Sequence, residues 1–424
     1  MPMRAWVVPL IVLWTAAGFA QSGKVIELKS ANKMENTTIG GEQVRDFVGN
    51  VHFVQPSASG GTIRLWCDRA LQFMASRRIE CFGHVRIVRD SVTLLGTEGT
   101  YYDRTRQARL TKGVRLERPG TILTASEGEY HADDERAHFK GNVVVVDSMS
   151  TTTCDDLTYF EEGDRSIAVG NVRIVSPQDG VTVYGDSLVH LGTINYTLIP
   201  RNPTLVQVDT SETGGLDTLV VVSRSMEAYR DSTQRYVARD SVMLVRNEIA
   251  AVSGQGVYMP LAGALILTKE PVVWYDENQV SGDSIEIRLE NRKLRSVYVQ
   301  GRAIAASRSD TASVHRFDQL TGRSLTLFFG AGNIERIIAE RQSTSLYYLF
   351  DDKAPNGANK SSGDRIVVEF TEGQVDRINV SGGVEGQYMP EQMLLGRERN
   401  YDLDGFQWYP MRPRRHNTEI MLKP

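Results

Sequence analysis

The residues of this 424-residue chain that could do chemistry are few and scattered. Gly185-Asp186-Ser187-Leu188 spells the nucleophile motif of a lipase class, yet a catalytic serine should occur once, on a strand-to-helix turn beside a base. Gly282-Asp283-Ser284-Ile285 repeats the pattern, and Gly363-Asp364-Arg365-Ile366 repeats it without the serine. The motif is therefore interpreted as a recurring turn at the entry to a strand, and not as a nucleophile.

The other titratable side chains form no recognisable catalytic or metal site. The seven histidines are dispersed and lack metal-binding spacing: His52, His84, His131, His138, His190, His315 and His416. Acidic pairs such as Asp133-Asp134 and Glu161-Glu162 lie in predicted turns. They are therefore interpreted as solvated carboxylates and not as the catalytic pair of a glycosidase. No glycine-rich phosphate loop leads into a helix. The sequence predicts a protein that is not an enzyme and has no cofactor and no metal.

The three cysteines, Cys67, Cys81 and Cys154, match no zinc-binding spacing. In an oxidising compartment Cys67 and Cys81 could form a disulfide between neighbouring strands. Three small buried thiols are the alternative, and the sequence leaves both open.

A recurring unit organises the chain. Gly141-Asn142 followed by an apolar run from Val143 to Val146 has counterparts about 28 to 41 residues apart, which indicates a repeat architecture of about eleven units. Each Gly-Asn pair is predicted to be a turn that precedes a strand, with Val143 and Val145 on one face. The units start at Gly49, Gly83, Gly113, Gly141, Gly170, Asn202, Asp240, Glu270, Gly301, Arg341 and Gly382.

Each unit also contains a second strand, and no segment of twelve residues shows helical periodicity. Short sequential strands with tight turns predict an all-β chain, an antiparallel meander folded into two facing sheets with almost no helix. An irregular stretch around Pro200 and Pro203 separates two predicted segments, 21–200 and 201–386. The aromatic and proline-rich tail, 387–424, is expected to cover the last sheet edge.

Residues 1–20 have the pattern of a secretory signal peptide, with Arg4 before an apolar run from Trp6 to Phe19 and a small-residue cleavage site at Ala20. An uncleaved anchor is the alternative. The chain is therefore expected to be exported. The net charge of −4 argues against a nucleic-acid partner. No internal run approaches the roughly 18 apolar residues of a membrane span.

The remaining candidate site is an apolar stripe that alternation places on the inner faces of the strands. It could be the packed core of a structural or adhesive repeat protein, or an open groove for acyl chains with rim arginines near anionic head groups. A polysaccharide-active enzyme on a parallel β-helix is a further alternative. The candidate lining residues are Val51, Phe53, Val85, Ile87, Tyr101, Val114, Leu116, Tyr130, Val143, Val145, Leu157, Tyr159, Val172, Ile174 and Leu188.

The Gly-Asn-Val units and the Gly-Asp/Glu strands between them resemble the OstA-like family of periplasmic lipopolysaccharide-transport proteins. The resemblance is best over 44–200 and returns over 225–390. The tail from Gly383 through Tyr388-Met389-Pro390 to Arg412-Pro413 is similar to larger members of the Bacteroidetes–Chlorobi type.

This resemblance implies an elongated, twisted antiparallel β-jellyroll whose groove shields the lipid A chains of lipopolysaccharide in the periplasm, where the chain could associate with the outer membrane. It further implies other transport components and an outer-membrane barrel as partners, and head-to-tail self-association through terminal strands. The family has no catalytic residues to carry over to this chain.

Overall fold

The computed structural model describes residues 26–414, apart from 57–61, 90, 106, 132–133, 178–179, 211–215, 233, 248, 291–292, 310–314, 331–332 and 352–353. The predicted signal peptide, 1–20, lies outside the described residues. The chain divides into two compact units, Met1–Pro203 and Thr204–Pro424.

Unit 1 consists of antiparallel strands in which each strand pairs mainly with its neighbours in sequence. The long strands hold ten or more residues each, so each of them is long enough to cross a corner and contribute to two walls. The strands are β1 Glu27–Ser30, β2 Lys33–Ile39, β3 Glu42–Pro56, β4 Thr62–Phe73, β5 Arg78–Arg89, β6 Val92–Tyr102, β7 Gln107–Arg118, β8 Thr121–Ala125, β9 Glu127–His131, β10 Arg136–Asp147, β11 Thr151–Phe160, β12 Arg165–Ser176, β13 Val181–Leu191 and β14 Tyr196–Ile199.

The predicted Gly-Asn turns are corners inside continuous strands, which corrects the sequence interpretation. Gly141 and Asn142 have φ of 77° and 48°, and the register of β10 with β11 shifts between Lys140 and Val143. One extra residue with left-handed backbone is a β-bulge, which bends a strand sharply without ending it. Glycine adopts this backbone freely and asparagine tolerates it, so the pair recurs wherever a strand must bend.

All eleven predicted repeat starts fall on such backbone. Ten lie in pairs of consecutive residues with positive φ, and the eleventh is Asn202, with φ of 43°. The interpretation of the Gly-Asp-Ser motif as a turn is also corrected, because Gly185 and Ser187 lie in the middle of β13 and not in an entry turn. They pair with Val172 and Val169, on either side of the Gly170-Asn171 corner of β12.

The corners divide unit 1 into two facing walls. The first wall is the sheet formed by the residues that precede the corners of β3, β5, β7, β10 and β12. The second wall is the sheet formed by the residues that follow these corners. The intervening strands pair with both walls. Buried side chains from both walls, such as Phe139 and Val143, belong to one apolar cluster. Unit 1 is therefore an antiparallel β-jellyroll, and the predicted fold class is confirmed.

Unit 2 has the same construction. Strands β18, β24 and β26 cross corners at Asp240-Ser241, Gly301-Arg302 and Arg341-Gln342. The elements are β15 Thr204–Thr210, β16 Leu216–Val222, β17 Ser225–Tyr229, β18 Arg235–Arg246, β19 Ile249–Met259, β20 Ala264–Thr268, β21 Val272–Tyr275, β22 Asn278–Ser281, β23 Ser284–Glu290, β24 Lys293–Arg308, β25 Phe317–Gly330, β26 Asn333–Asp351, β27 Ala354–Thr371, β28 Gln374–Ser381, β29 Glu385–Met389 and the short helix α1 Glu391–Leu394.

Residues 387–389 at the start of the C-terminal tail belong to β29, which pairs with β27, and the tail then packs on the outer face of unit 2. Gln279 Nε2 donates to Gln407 O at 2.7 Å, and Gln279 Oε1 accepts from Tyr409 N at 2.8 Å. Val273 and Val280 point the other way, into the main apolar cluster of unit 2. The tail therefore forms a third layer over β21 and β22.

No helix among the described residues is long and apolar enough to cross a membrane.

Candidate functional site

An apolar cleft lies between the two walls of unit 1, with a cavity volume of about 140 Å³. Its lining is dominated by aliphatic and aromatic side chains from strands β3 to β10, with few polar groups. The lining residues are Ile26, Phe53, Val54, Gln55, Ile63, Leu65, Ile79, Cys81, Val85, Ile87, Arg89, Val92, Leu94, Gly99, Thr100, Tyr101, Ala108, Arg109, Leu110, Val114, Leu116, Gly128, Glu129, Tyr130, Ala137 and Phe139.

Seven of the fifteen side chains predicted from the sequence line this cleft: Phe53, Val85, Ile87, Tyr101, Val114, Leu116 and Tyr130. The other eight belong to the apolar cluster of unit 1 or pack against it: Val51, Val143, Val145, Leu157, Tyr159, Val172, Ile174 and Leu188. Val143 is fully buried, whereas Val146 is 41% exposed, so Val143 and Val145 form the inward set of β10.

The first wall presents a row in which tyrosines alternate with small residues. Tyr101 pairs with Ala108, Ala108 with Tyr130, Tyr130 with Ala137, and Ala137 with Tyr159. Residues paired in register share a face, so these side chains lie side by side along the interior. The tyrosines recur every second strand, a repeat of roughly 10 Å at the usual strand spacing. The wall thus offers nearly equivalent apolar positions along the cleft.

The tyrosine hydroxyls of this row are held by carboxylates at strand ends. Tyr130 Oη donates to Glu161 Oε1 at 3.1 Å, and Tyr159 Oη donates to Asp164 Oδ1 at 3.2 Å. Burial, reinforced by the neighbouring carboxylates, raises the pKa of Tyr130 and of Tyr159 well above the usual range. Both side chains therefore remain neutral phenols that present their rings to the interior.

The second wall carries two inward arginines that sequence reasoning missed. Arg89 ends β5 and is only 3% exposed, and Arg118 ends β7. Each continues the alternation of the inward apolar residues before it, Val85-x-Ile87-x-Arg89 and Val114-x-Leu116-x-Arg118. The period-2 pattern contained this signal, because every second residue of a strand lies on the same face.

Two of the histidines lie beside carboxylates, and the three cysteines are buried. The Nδ1 atom of His84 lies 2.8 Å from Asp68 Oδ2 at a corner, and the Nε2 atom of His138 lies 3.2 Å from Asp156 Oδ1 on the surface of the first wall. The three cysteines are free, buried thiols. Burial raises the pKa of Cys154 to about 12. No group of side chains within the described ranges could hold a metal ion.

Unit 2 contains a smaller interior cavity of about 40 Å³. Its lining is also apolar, but the inner side chains of the two walls largely fill the space. The lining residues are Ile249, Val273, Tyr275, Asn278, Val280, Ile287, Leu294, Val297, Leu327, Phe329 and Ile334. The cleft of unit 1 is therefore the better candidate site.

Comparisons with known proteins give matches over the first two thirds of the chain. Residues 23–148 match the family described as OstA-like protein, and residues 123–293 match the family described as LptA/(LptD N-terminal domain) LPS transport protein. No curated protein matches the sequence. Among solved structures, the chain is similar to LptH from Pseudomonas aeruginosa, the LptA homologous periplasmic component of the lipopolysaccharide transport device. The identity is 12% and the TM-score 0.27, over 34% of this chain and 95% of that chain.

Proposed function

We propose that this chain, an OstA-like protein, is a periplasmic component of lipopolysaccharide transport that holds lipid A acyl chains in the cleft of unit 1. In this role it binds and passes on the lipid without catalysing a reaction. The observation that carries the proposal is the apolar cleft between the walls, within the residues that match the two transport families.

The energetics of the cleft fit an acyl-chain ligand. Ile87, Leu94 and Leu116 face the interior from the second wall, opposite the tyrosine row of the first. Each CH₂ group that leaves water for such a surface contributes about 0.8 kcal/mol. Several methylenes therefore suffice for useful affinity, although the cleft has few polar groups to orient the ligand.

We propose that the walls move apart when lipid binds, because the cleft is small for its ligand. Its volume of about 140 Å³ is below the roughly 300–1,000 Å³ of ordinary small-molecule pockets. A lipid with several acyl chains needs more room than that. Because the walls are joined at the corners, we propose that they separate on the side away from the corners.

The repeating row of the first wall suggests how a lipid would advance. A chain that leaves the space beside Tyr101 and Ala108 meets nearly the same environment beside Tyr130 and Ala137. The free energy of the bound lipid would change little between such positions, so lipid would slide along the interior. The direction of movement would be set by other transport components.

Partners are proposed at the N-terminal edge of unit 1. Among the described strands, β1 and β2 pair with β3 alone, and all their residues are exposed. An unpaired edge can accept a further strand. We propose that it receives another transport component or a second copy of this chain, with an outer-membrane barrel as the final acceptor of the lipid.

The test is direct binding of lipopolysaccharide by the purified full chain after export. The chain is saturated with the fluorescent apolar dye N-phenylnaphthylamine, and lipopolysaccharide is titrated in. Saturable displacement of the dye is expected, and the same loss of signal should follow addition of lipid A alone. Failure of both to displace the dye would overturn the proposal.

A packed structural repeat protein is the second candidate, because part of the interior is closed. Val143, Tyr159 and Val172 are almost fully buried among their neighbours and do not line the cleft. If the whole interior behaved in this way, the chain would bind neither the dye nor the lipid.

A further inference from the structure

We propose that Arg89 and Arg118 form an anionic head-group subsite, which takes a phosphate of an amphiphile whose chains occupy the cleft of unit 1. The proposal rests on the proposed function and names the group that would orient the ligand. It is carried by the position of these two side chains on the inner face and by the unused hydrogen-bonding capacity of Arg118.

The two arginines lie on one inward row of the second wall. Arg89 of β5 pairs with Val92 of β6, and the next residue of β6, Thr93, pairs with Glu117 of β7. Arg118 follows Glu117 and pairs with Thr121 of β8. Strand β6 is therefore the single strand that separates the two arginines in this row. Their backbones are therefore roughly 10 Å apart. Both follow the last apolar inward residue of their strands, on the side away from the corners. An amphiphile with its chains among Ile87 and Leu116 would have its polar end beside them.

Arg118 has donors that nothing in the described chain uses. Its Nε and Nη1 atoms are buried and have no hydrogen-bond partner there. A buried donor without a partner is costly, and a guanidinium presents its N–H groups in a fork that suits phosphate oxygens. Burial also lowers the pKa of Arg118, although its charge is retained because arginine titrates far above neutral pH.

Asp147 and Asp164, the two carboxylates that act electrostatically on Arg118, are engaged with other donors. Asp147 accepts from the backbone N–H groups of Met149 and Ser150 at 2.7 Å each, and Asp164 accepts from the Tyr159 hydroxyl. These acids lessen the positive potential around Arg118 but leave its buried N–H groups unused. Arg115, an outward arginine of the same wall, differs from Arg118 because it is exposed and its Nε atom donates to Glu117 at 2.6 Å.

The experiment compares two amphiphiles that share a chain and differ in the head group. Dodecyl phosphate and dodecyl maltoside are titrated below micelle formation against the dye-loaded full chain, and inorganic phosphate is a third arm. The variants are Arg118→Gln, Arg89→Gln and the control Arg115→Gln, which is on the same strand as Arg118 but faces outward.

The wild type is expected to bind dodecyl phosphate more tightly than the maltoside, and to bind inorganic phosphate far more weakly than either. Arg118→Gln should lose about tenfold in affinity for dodecyl phosphate, which is the effect of removing charge-assisted hydrogen bonds. Arg89→Gln should also lower the affinity for dodecyl phosphate. Affinity for the maltoside should not change in either variant, and Arg115→Gln should behave as the wild type.

Three results would overturn the subsite alone, and a fourth would overturn the proposed function with it. Equal affinity of the wild type and Arg118→Gln for dodecyl phosphate would contradict the subsite, while the proposed function would stand. Equal loss of both amphiphiles in Arg118→Gln would make the arginine a structural residue only. Inorganic phosphate binding as tightly as dodecyl phosphate would assign the site to free phosphate. If neither amphiphile displaced the dye from the wild type, the proposed function would fail together with the subsite.

Discussion

A Cβ atom on Gly170 would lie 2.3 Å from Asp155 Oδ2 and 2.9 Å from Asp155 Cβ. The corner of β12 therefore has room only for glycine, and Asp155 also accepts a hydrogen bond from Asn171 Nδ2 at 2.8 Å. The same arrangement recurs at Gly83 with Asp68 and at Gly301 with Asp283. A close contact between glycine and an acidic side chain thus fixes where a strand bends from one wall to the other.

Replacing the corner glycine is expected to destabilise the protein in two ways. Gly170→Ala would force alanine into a left-handed backbone and bring its Cβ against Asp155, with an expected cost of about 2–3 kcal/mol. Gly120→Ala is the matched control, because Gly120 has φ of 76° but no atom lies within 4 Å of the place that a Cβ would take there. It should cost about 1 kcal/mol from backbone strain alone.

Urea unfolding of both variants measures this difference. Equal losses of stability would show that the contact with Asp155 contributes nothing and that backbone strain alone accounts for the glycine.

Filling the cleft is expected to block lipid binding without unfolding the walls. Ala108 is half-buried between Tyr101 and Tyr130, so the ring in Ala108→Phe would occupy space inside the cleft where we propose that the acyl chains lie. Affinity for lipopolysaccharide should fall by about tenfold or more. Arg115→Phe is the control, because Arg115 is exposed on the outer face of the same strand and is not among the residues that line the cleft. Unchanged affinity in Ala108→Phe would place the lipid elsewhere.

The tail of unit 2 is expected to loosen when the Gln279 amide is removed. Gln279 is 1% exposed and pairs through both amide atoms with the backbone of Gln407 and Tyr409. Gln279→Ala would leave a buried N–H and C=O unpaired, at about 1–3 kcal/mol each, unless the tail moves into water. Amide hydrogen exchange at Tyr409 should therefore accelerate, and Gln374→Ala, at an exposed position, should leave it unchanged. Slow exchange in both variants would show that Gln279 does not hold the tail.

Stability is expected to fall with rising pH through the titration of Asp318. Burial raises the pKa of Asp318 to about 6, while its carboxylate accepts from Tyr348 N at 2.9 Å. Because the folded-state pKa exceeds the unfolded one of about 3.9, the stability is present at low pH and is lost as the pH rises from about 4 to about 7.

Asp318→Asn removes this titration and provides the comparison. Relative to the variant, the wild type should lose on the order of 1–2 kcal/mol of unfolding free energy across that range. Parallel pH profiles for the two proteins would contradict the raised pKa.

The sequence predicts the walls well because alternation is local. Val143 is buried and Val146 exposed for the reason that the pattern indicates, namely that successive side chains point to opposite faces. The same pattern could have located Arg118 on the inner face. The interpretation of the Gly-Asn pair as a chain-reversing turn is wrong because such a turn and a corner within a strand require the same left-handed residues. Only the pairing of neighbouring strands distinguishes the two.

Features that depend on distance between elements were beyond the sequence. Whether Leu116 lines a cleft or a closed core depends on how far apart the two walls stand, which no run of residues encodes. The tail is another example, because Trp274 Nε1 donates to Tyr409 O at 3.2 Å across 135 residues of sequence. A proline-rich segment without periodicity gives no sign of the face on which it packs.

The central claim is that lipid lies between the walls, and two consecutive tyrosines test it most directly. Tyr101 lines the cleft, whereas Tyr102 is 40% exposed and points to the opposite face of β6. Photoreactive benzoylphenylalanine at either position retains the aromatic ring of the tyrosine it replaces. We expect that, in cells, lipopolysaccharide is crosslinked at position 101 and not at 102. Equal capture at both positions, or capture at 102 alone, would contradict the claim.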